Sequence, residues 1–293
     1  MSIDKTYLVA GGDMRQLYLA KTLAKQGNRV YIACFEEASE LSRQLVPVDL
    51  QIGFEQPVDC IVLPLPVTND GVYLNTPLSH KQVLLEDVLK AAGHKTVVFG
   101  GKLDESIYQL CREKGIAAVD YLKREEMAVL NAVPTAEGAL ELLMQELPTT
   151  LFGTRCLVTG MGRISKVLIR YLTALHADVT VAARKCSDLA WAKVFGCRGI
   201  HTSRIAEHAG EFDCVVNTVP AKLFDYSVLS RLDEHCVILD LASKPGGVDF
   251  ELARQLGVKA IWALSLPGKV APVTSGEIIC STIQNILAER GED

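Results

Sequence analysis

The sequence predicts an α/β protein that contains two doubly wound parallel-sheet domains. Three observations support this prediction. Strand-length apolar runs alternate with helix-length amphipathic stretches, this alternation occurs twice along the chain, and a length of 293 residues suits two domains. The domains are expected at residues 1–130 and 151–273. An interdomain helix is expected at 131–150, and a C-terminal helix, residues 274–293, is expected to return to the first domain.

The first domain is predicted to hold five strands and one well-marked helix. The helix runs from about Met14 to Gln26 and ends at Gly27, because glycine readily takes the conformation that follows a helix C-terminus. The expected strands are Tyr7–Ala10, Val30–Ala33, Cys60–Leu65, Thr96–Gly100 and Ala117–Asp120.

The segment between the domains predicts a helix, because Pro134 fits a first helical turn and Pro148 ends the pattern. Its expected apolar face consists of Leu140, Leu143, Met144 and Leu147. The second domain should then contain a helix from Ile164 to His176 and the strands Arg155–Gly160, Val179–Ala183, Cys214–Thr218, Val237–Leu241 and Lys259–Ala263. Thr274 or Ser275 is expected to cap a final helix, Glu277–Glu289.

Composition argues against several classes of function. A formal net charge of -5 and a pI near 5.7 disfavour binding to nucleic acid or to a membrane surface, since both carry negative charge. No apolar run approaches the roughly 20 residues of a membrane span, and the N-terminus does not resemble a signal peptide, so a cytoplasmic location is expected. The nine cysteines lack metal-ligand spacing, which predicts reduced, buried thiols and no metal site.

A glycine turn provides the strongest functional signal. Gly160-Met161-Gly162-Arg163-Ile164-Ser165 lies between a predicted strand and a predicted helix. Two glycines at this spacing permit a tight turn and close backbone approach to a pyrophosphate, and the small Ser165 can replace a third glycine. The motif predicts a Rossmann-like dinucleotide site. The alternative is a turn that is merely tight.

The end of the next strand bears on which nicotinamide cofactor binds. An acidic residue about 20 positions after the first glycine would hold the 2′-hydroxyl of NAD, but this strand ends at Ala183 and continues with Arg184 and Lys185. Together with Ser187, these cations favour the 2′-phosphate of NADP. Less selective binding of NAD remains open. Two further strand-end loops are expected to border the nicotinamide, or to be plain turns; they contribute Thr218, Val219, Pro220, Ala242 and Ser243.

Cations at predicted strand ends and loops provide candidate ligands for an anionic substrate. Arg15 follows a second glycine turn, Gly11-Gly12, whose helix N-terminus can bind a carboxylate. The other candidates are Lys102, Arg124 and Lys269. For each cation the alternative is an ordinary surface charge.

Four segments together resemble one family, the A subunits of dipicolinate synthase from spore-forming bacteria. They are GGDMRQLYLAKTLAKQG, REEMAVLNAVPTAEGA, GMGRIS and LPGKVAPVTSGEII, and the likeness runs from about Thr6 to Ile286. The resemblance implies oxidation of dihydrodipicolinate to dipicolinate with NADP, together with a flavoprotein-like B subunit, in the mother cell during sporulation. An oligomer is expected.

If the chain catalyses this oxidation, three residues of the interdomain segment are candidates for catalytic roles. Glu137 can accept a proton if it faces the substrate, while Asn131 and Thr135 can orient the ring. No histidine stands where a 2-hydroxy-acid dehydrogenase would keep its acid–base residue. Two alternatives stay open: another dehydrogenase with alanine- or shikimate-dehydrogenase-like architecture, and a non-catalytic regulatory protein that binds NADP(H).

Overall fold

The computed structural model describes residues 5–39, 41–54 and 56–291, and these form two compact units. The first unit takes in the chain up to Asn131 together with the residues from Ala271 onward. The second unit is Ala132–Val270. The helix expected between the domains therefore belongs to the second unit.

The first unit is built on a six-stranded parallel sheet. Its strands are β1 (Thr6–Ala10), β2 (Arg29–Ala33), β3 (Leu45–Pro47), β4 (Val58–Val62), β5 (Ala92–Gly100) and β6 (Ala117–Asp120), in the order β3-β2-β1-β4-β5-β6. Its helices before residue 131 are α1 (Met14–Lys25), α2 (Leu85–Val88), α3 (Glu105–Glu113) and α4 (Glu125–Leu130), with 3-10 turns at Leu89–Ala91 and Tyr121–Lys123.

This sheet has a core on each face because side chains alternate along its strands. In β1, Tyr7 and Val9 enter one core, while Leu8 and Ala10 enter the other. All four side chains are almost fully buried. The sheet is therefore covered on both faces, as a doubly wound fold requires.

The second unit repeats this plan. Its strands are β7 (Arg155–Thr159), β8 (Asp178–Ala183), β9 (Arg198–His201), β10 (Cys214–Asn217), β11 (Val237–Asp240) and β12 (Lys259–Trp262), all parallel and in the order β12-β11-β10-β7-β8-β9. Its helices are α5 (Ala132–Glu146), α6 (Arg163–Ala174), α7 (Cys186–Val194), α8 (Ile205–His208), α9 (Tyr226–Leu229), α10 (Phe250–Gln255) and α11 (Leu266–Val270). Two 3-10 turns lie at Thr202–Arg204 and Ala209–Glu211. The strand order reverses direction between β7 and β10, and such a switch point is where ligands bind in open sheets of this kind.

The last helix, α12 (Pro272–Glu289), returns to the first unit and packs along α1. Gly276 makes this close contact possible, because a Cβ there would lie 2.5 Å from the carbonyl oxygen of Arg15. Near the other end of α12, Glu289 forms a bidentate ion pair with Arg124. The predicted return of the C-terminal helix is confirmed.

The predicted fold class is confirmed, but three details were wrong. The edge strands β3 and β9 were not predicted. Neither Thr274 nor Ser275 caps the last helix, which begins at Pro272, where proline fits the first turn. Met144 is 55% exposed, because α5 buries mainly small residues around Ala136 and Ala139 on its packed face.

The described residues include no helix long and apolar enough to cross a membrane, and no cluster of three or more candidate metal ligands. The nine cysteines are free thiols, and Cys186 is the exposed one. Burial raises the pKa of both Cys236 and Cys280 to about 12. Buried thiols of this kind are poor nucleophiles.

Candidate functional site

The turn after β7 depends on glycine at its first position. Gly160 has a φ of +89°, and a Cβ there would lie 2.8 Å from Thr218 Oγ1 and 3.0 Å from Val219 Cγ2. The backbone N–H of Gly160 donates to the carbonyl oxygen of Ala182 at 2.8 Å. Both the backbone conformation and the neighbouring side chains therefore exclude a larger residue.

The second glycine of the turn has a different explanation. Gly162 has an ordinary φ of -80°, and a Cβ built on it would meet no protein atom within 4 Å. Neither the backbone nor the packing of the described residues requires glycine at this position. Glycine at this position would allow the close approach of a ligand, which is the role of the second glycine in a dinucleotide turn.

The helix that begins here is suited to an anion. Gly162 is the N-cap of α6, no described side chain caps that helix end, and its first turn contains no acidic residue. The exposed N–H groups and the helix dipole favour negative charge there. These residues therefore fit the pyrophosphate of a dinucleotide.

Small polar side chains tie the glycine turn to the loop after β10. The Thr218 hydroxyl donates to the carbonyl oxygen of Thr159 at 2.8 Å and lies 2.8 Å from Ser165 Oγ. Ser165 and Thr159 are fully buried. The small residue expected at the third glycine position thus packs against the neighbouring strand end, as predicted for the motif.

A buried carboxylate organises the next two loops. Asp240, at the end of β11, is fully buried and accepts hydrogen bonds from Asn217 Nδ2 at 2.7 Å, Ala242 N at 3.0 Å and Gly247 N at 2.7 Å. Asn217 in turn accepts from Val219 N at 3.1 Å through its Oδ1. The network fixes the loops after β10 and β11, which carry Thr218, Val219, Pro220, Ala242 and Ser243. Asp240 was not predicted as a functional residue, although a single acidic residue at the end of an apolar strand is a signal present in the sequence.

The strand end that bears on the choice of cofactor is cationic and open. Ala183 is buried, whereas Arg184, Lys185 and Ser187 are exposed. Lys185 is the N-cap of α7, so these side chains stand at the start of that helix. These exposed side chains could bind a negatively charged group such as a phosphate.

The glycine turn of the first unit is built differently. At Gly11 a Cβ would meet Leu74, and at Gly12 it would meet Gln16, so internal packing explains both glycines. The carboxylate of Asp13 caps α1 and forms a capping box. This carboxylate holds the position at the helix N-terminus that an anionic ligand would take.

Arg15 is 6% exposed and already has partners. Its guanidinium pairs with the Asp13 carboxylate at 2.8 Å and donates to the carbonyl oxygen of Leu65 at 3.0 Å. Nearby Tyr121 is fully buried, and desolvation raises the pKa of its phenol despite the opposing effect of Arg15. Tyr121 is therefore unsuited to accept a proton at neutral pH.

The remaining predicted cations differ in their surroundings. Arg124 pairs with Glu126 at 2.8 Å as well as with Glu289. Lys102 and Lys269 have exposed side chains, and Lys102 takes a φ of +63° while its backbone N–H donates to Asp120.

The three residues proposed for catalysis do not share one environment. Asn131 is the C-cap of α4 and is half-buried. Thr135 is 7% exposed within α5, while Glu137 on the same helix is exposed. Their roles remain predictions, as do those of the four cations.

Comparison with known proteins places the chain in a family. Residues 6–122 match the family model that describes the N-terminal domain of the dipicolinate synthase A subunit. The A subunit of dipicolinate synthase from Bacillus subtilis (strain 168) is 34% identical over 283 residues, which cover 96% of this chain and 95% of that protein. The crystal structure of the dipicolinate synthase A subunit from Bacillus halodurans superposes with a TM-score of 0.90 at 30% identity, covering 98% of this chain and 99% of that one.

A more distant structure has the same fold. An L-alanine dehydrogenase matches with a TM-score of 0.64 at 16% identity, over 98% of this chain and 90% of that one. This likeness shows the shared two-sheet architecture alone. Sequence identity and coverage together establish that the chain belongs to the family of dipicolinate synthase A subunits.

Proposed function

We propose that this chain oxidises dihydrodipicolinate to dipicolinate, the pyridine-2,6-dicarboxylate, with NADP as hydride acceptor, as the A subunit of a dipicolinate synthase in sporulating bacteria. Membership of the family supports the reaction. The binding of a dinucleotide is supported mainly by Gly162. A side chain at this position would meet no protein atom, so its absence is explained by the space that a pyrophosphate would need at the N-terminus of α6.

The reaction balances as the loss of one hydride and one proton from the dihydropyridine ring. NADP, when bound, takes up the hydride. Because the product is aromatic, the step is strongly favourable, and the protein's main contribution is to position the ring and remove the proton. In this proposal Glu137 accepts the proton, since its exposed carboxylate can pass it to solvent. Asn131 and Thr135 orient the ring.

The preference for NADP over NAD is part of the proposal. Arg184 and Lys185 supply positive charge, and Ser187 supplies a hydroxyl donor, at the strand end where the adenosine ribose binds in such sheets. A 2′-phosphate is recognised by charge-assisted hydrogen bonds of this kind. NAD lacks that phosphate and should bind more weakly.

Two carboxylates on the substrate call for cations. Lys102 and Lys269 are exposed and available for this role. Arg15 and Arg124 are already paired with carboxylates, so each would have to share its guanidinium with the substrate.

A partner and a place in the cell complete the proposal. The relatives are named as A subunits, which implies that they work with a second chain. We propose that this partner is a flavoprotein-like B subunit. We further propose that the complex acts in the cytoplasm of the mother cell and that the chain forms an oligomer.

A reconstitution experiment tests the proposed activity. Purified chain, B subunit, dihydrodipicolinate and NADP are mixed, and NADPH absorbance is followed together with the ultraviolet band of the aromatic product. Both signals should rise in proportion and require the chain. If neither signal appears with a folded, authentic pair, the proposed reaction is wrong. Equal rates with NAD would reject the cofactor preference alone.

A further inference from the structure

The loop after β11 presents a lysine outside the set of candidate substrate ligands described so far. Ser243 and Gly246 close a tight turn, in which Gly246 N donates to the carbonyl oxygen of Ser243 at 2.8 Å. Lys244 lies at the tip of this turn with an exposed side chain. The sequence across the turn is Ala-Ser-Lys-Pro-Gly-Gly.

This turn is anchored far more firmly than an ordinary surface loop. The carboxylate of Asp240 binds Ala242 N before the turn and Gly247 N after it. Trp262 donates from Nε1 to the carbonyl oxygen of Ala242 at 2.9 Å. Burying a carboxylate costs free energy unless the carboxylate is fully hydrogen-bonded. Because a buried carboxylate closes this surface turn, we infer that the position of the turn is important.

The position of the turn places Lys244 on the nicotinamide side of the site. In a doubly wound sheet the adenosine half of the cofactor lies toward the second strand, here β8 with Arg184, and the other half lies toward the fourth and fifth strands. Lys244 follows β11, which lies two strands from β7, or about 10 Å at roughly 4.8 Å per strand.

The charge on Lys244 is available to a ligand. Lys222, the other lysine on a loop beside this strand end, is engaged by Asp249 at 2.7 Å. The salt bridges of residues 5–39, 41–54 and 56–291 include none to Lys244. Because the backbone of the turn is already fixed, binding a carboxylate costs the rotamer freedom of the Lys244 side chain and no ordering of the loop.

We propose that Lys244 binds a carboxylate of the substrate beside the nicotinamide, and that Asp240 positions it. The inference rests on the proposed function and names a ligand for one of the two negative charges of the dihydropyridine dicarboxylate. It adds a specificity-determining residue that the sequence pattern alone did not indicate.

Three variants of the full-length chain test this inference: Lys244→Met, Lys244→Arg and, as matched control, Lys222→Met. Two quantities are measured for each variant. One is the dissociation constant of pyridine-2,6-dicarboxylate for the NADP-loaded chain, and the other is the KM for dihydrodipicolinate after reconstitution with the B subunit.

Lys244→Met should weaken product binding and raise KM by about 10- to 100-fold, the effect of losing one charge-assisted contact. Its dissociation constant for NADP should stay within about twofold of wild type. Lys244→Arg should recover most of the loss because it restores the charge, and Lys222→Met should behave like wild type.

The outcomes separate this inference from the proposed function. If the wild-type complex turns over and Lys244→Met keeps its KM and product affinity, Lys244 is a solvated lysine and the inference fails alone. If the wild-type chain shows no turnover but binds the dicarboxylate through Lys244, the reaction is wrong and the inference stands. A wild-type chain that neither reacts nor binds the dicarboxylate overturns both.

Discussion

The two glycines of the nucleotide turn should respond differently to the same added methyl group. At Gly160 an alanine must adopt a φ of +89°, which costs about 1–2 kcal/mol, and its Cβ must lie 2.8 Å from Thr218 Oγ1. Overpacking adds about 1–3 kcal/mol, so Gly160→Ala should lower the free energy of unfolding by about 2–5 kcal/mol. At Gly162 the φ of -80° suits alanine and the Cβ meets no protein atom. Gly162→Ala should therefore cost no more than about 1 kcal/mol, the loss expected when alanine replaces glycine at a helix N-cap.

For Gly162→Ala the larger loss should be in nucleotide affinity, and the loss of folding stability should be small. The methyl group occupies the space that a pyrophosphate needs, so the dissociation constant for NADP should rise by about tenfold or more. Urea unfolding followed by fluorescence gives the stabilities, and calorimetric titration with NADP gives the affinities. A stable Gly162→Ala variant that binds NADP as tightly as wild type would refute the reasoning, because the glycine would then have no ligand to accommodate.

Three further predictions concern separate features. Arg184→Ala should weaken NADP binding by about 10- to 100-fold and leave NAD binding unchanged in calorimetry; an equal loss for both would assign Arg184 a structural role. Hydrogen bonds from Arg155 lower the pKa of Asp213 in the folded protein. The Asp213 carboxylate therefore stabilises the fold above its unfolded-state pKa of about 3.9, and this stabilisation is lost as the pH falls through the lower folded-state pKa. Asp213→Asn should accordingly lose less stability than wild type between about pH 4 and pH 2 in urea titrations, and identical slopes would contradict this. Gly276→Ala should lower the free energy of unfolding by at least about 1–3 kcal/mol, because its Cβ would lie 2.5 Å from a backbone oxygen of α1; an unchanged midpoint would mean that α12 can shift.

Most of the fold was predictable because its central strands are continuous apolar runs. Each of the ten expected strands is present, with bounds that differ by a few residues at most. The two missed strands are short edge strands: β3 has three residues and ends in proline, and β9 is Arg-Gly-Ile-His. The apolar residues of β3 are too few and are interrupted by proline, and β9 has a single large apolar residue, so neither gives a clear strand pattern.

The site was only partly predictable for a different reason. The glycine turn and Arg184 are local signals, since spacing along one strand–turn–helix unit places them. The role of Asp240 depends on contacts that cross the sheet, from β11 to β10 and to the loop at Gly247. Such contacts can be predicted only when it is known which strands are neighbours in the sheet.

Arg15 is a second case in which the sequence did not reveal the contacts of a residue. Its sequence context, a cation after a glycine turn, indicated an anion-binding residue. The structure shows Asp13 and a carbonyl oxygen around its guanidinium. A residue two positions away can therefore satisfy a cation that looks available in the sequence.

We propose that this chain brings NADP and a dihydropyridine dicarboxylate together for direct hydride transfer. The most direct measurement is the mass of the reduced cofactor after a turnover with ring-deuterated dihydrodipicolinate and the reconstituted subunits. Direct hydride transfer should give NADPH that carries one deuterium derived from the substrate. Reduced cofactor without deuterium, or aromatic product formed while NADP stays oxidised, would show that the chain binds the nucleotide without performing the transfer.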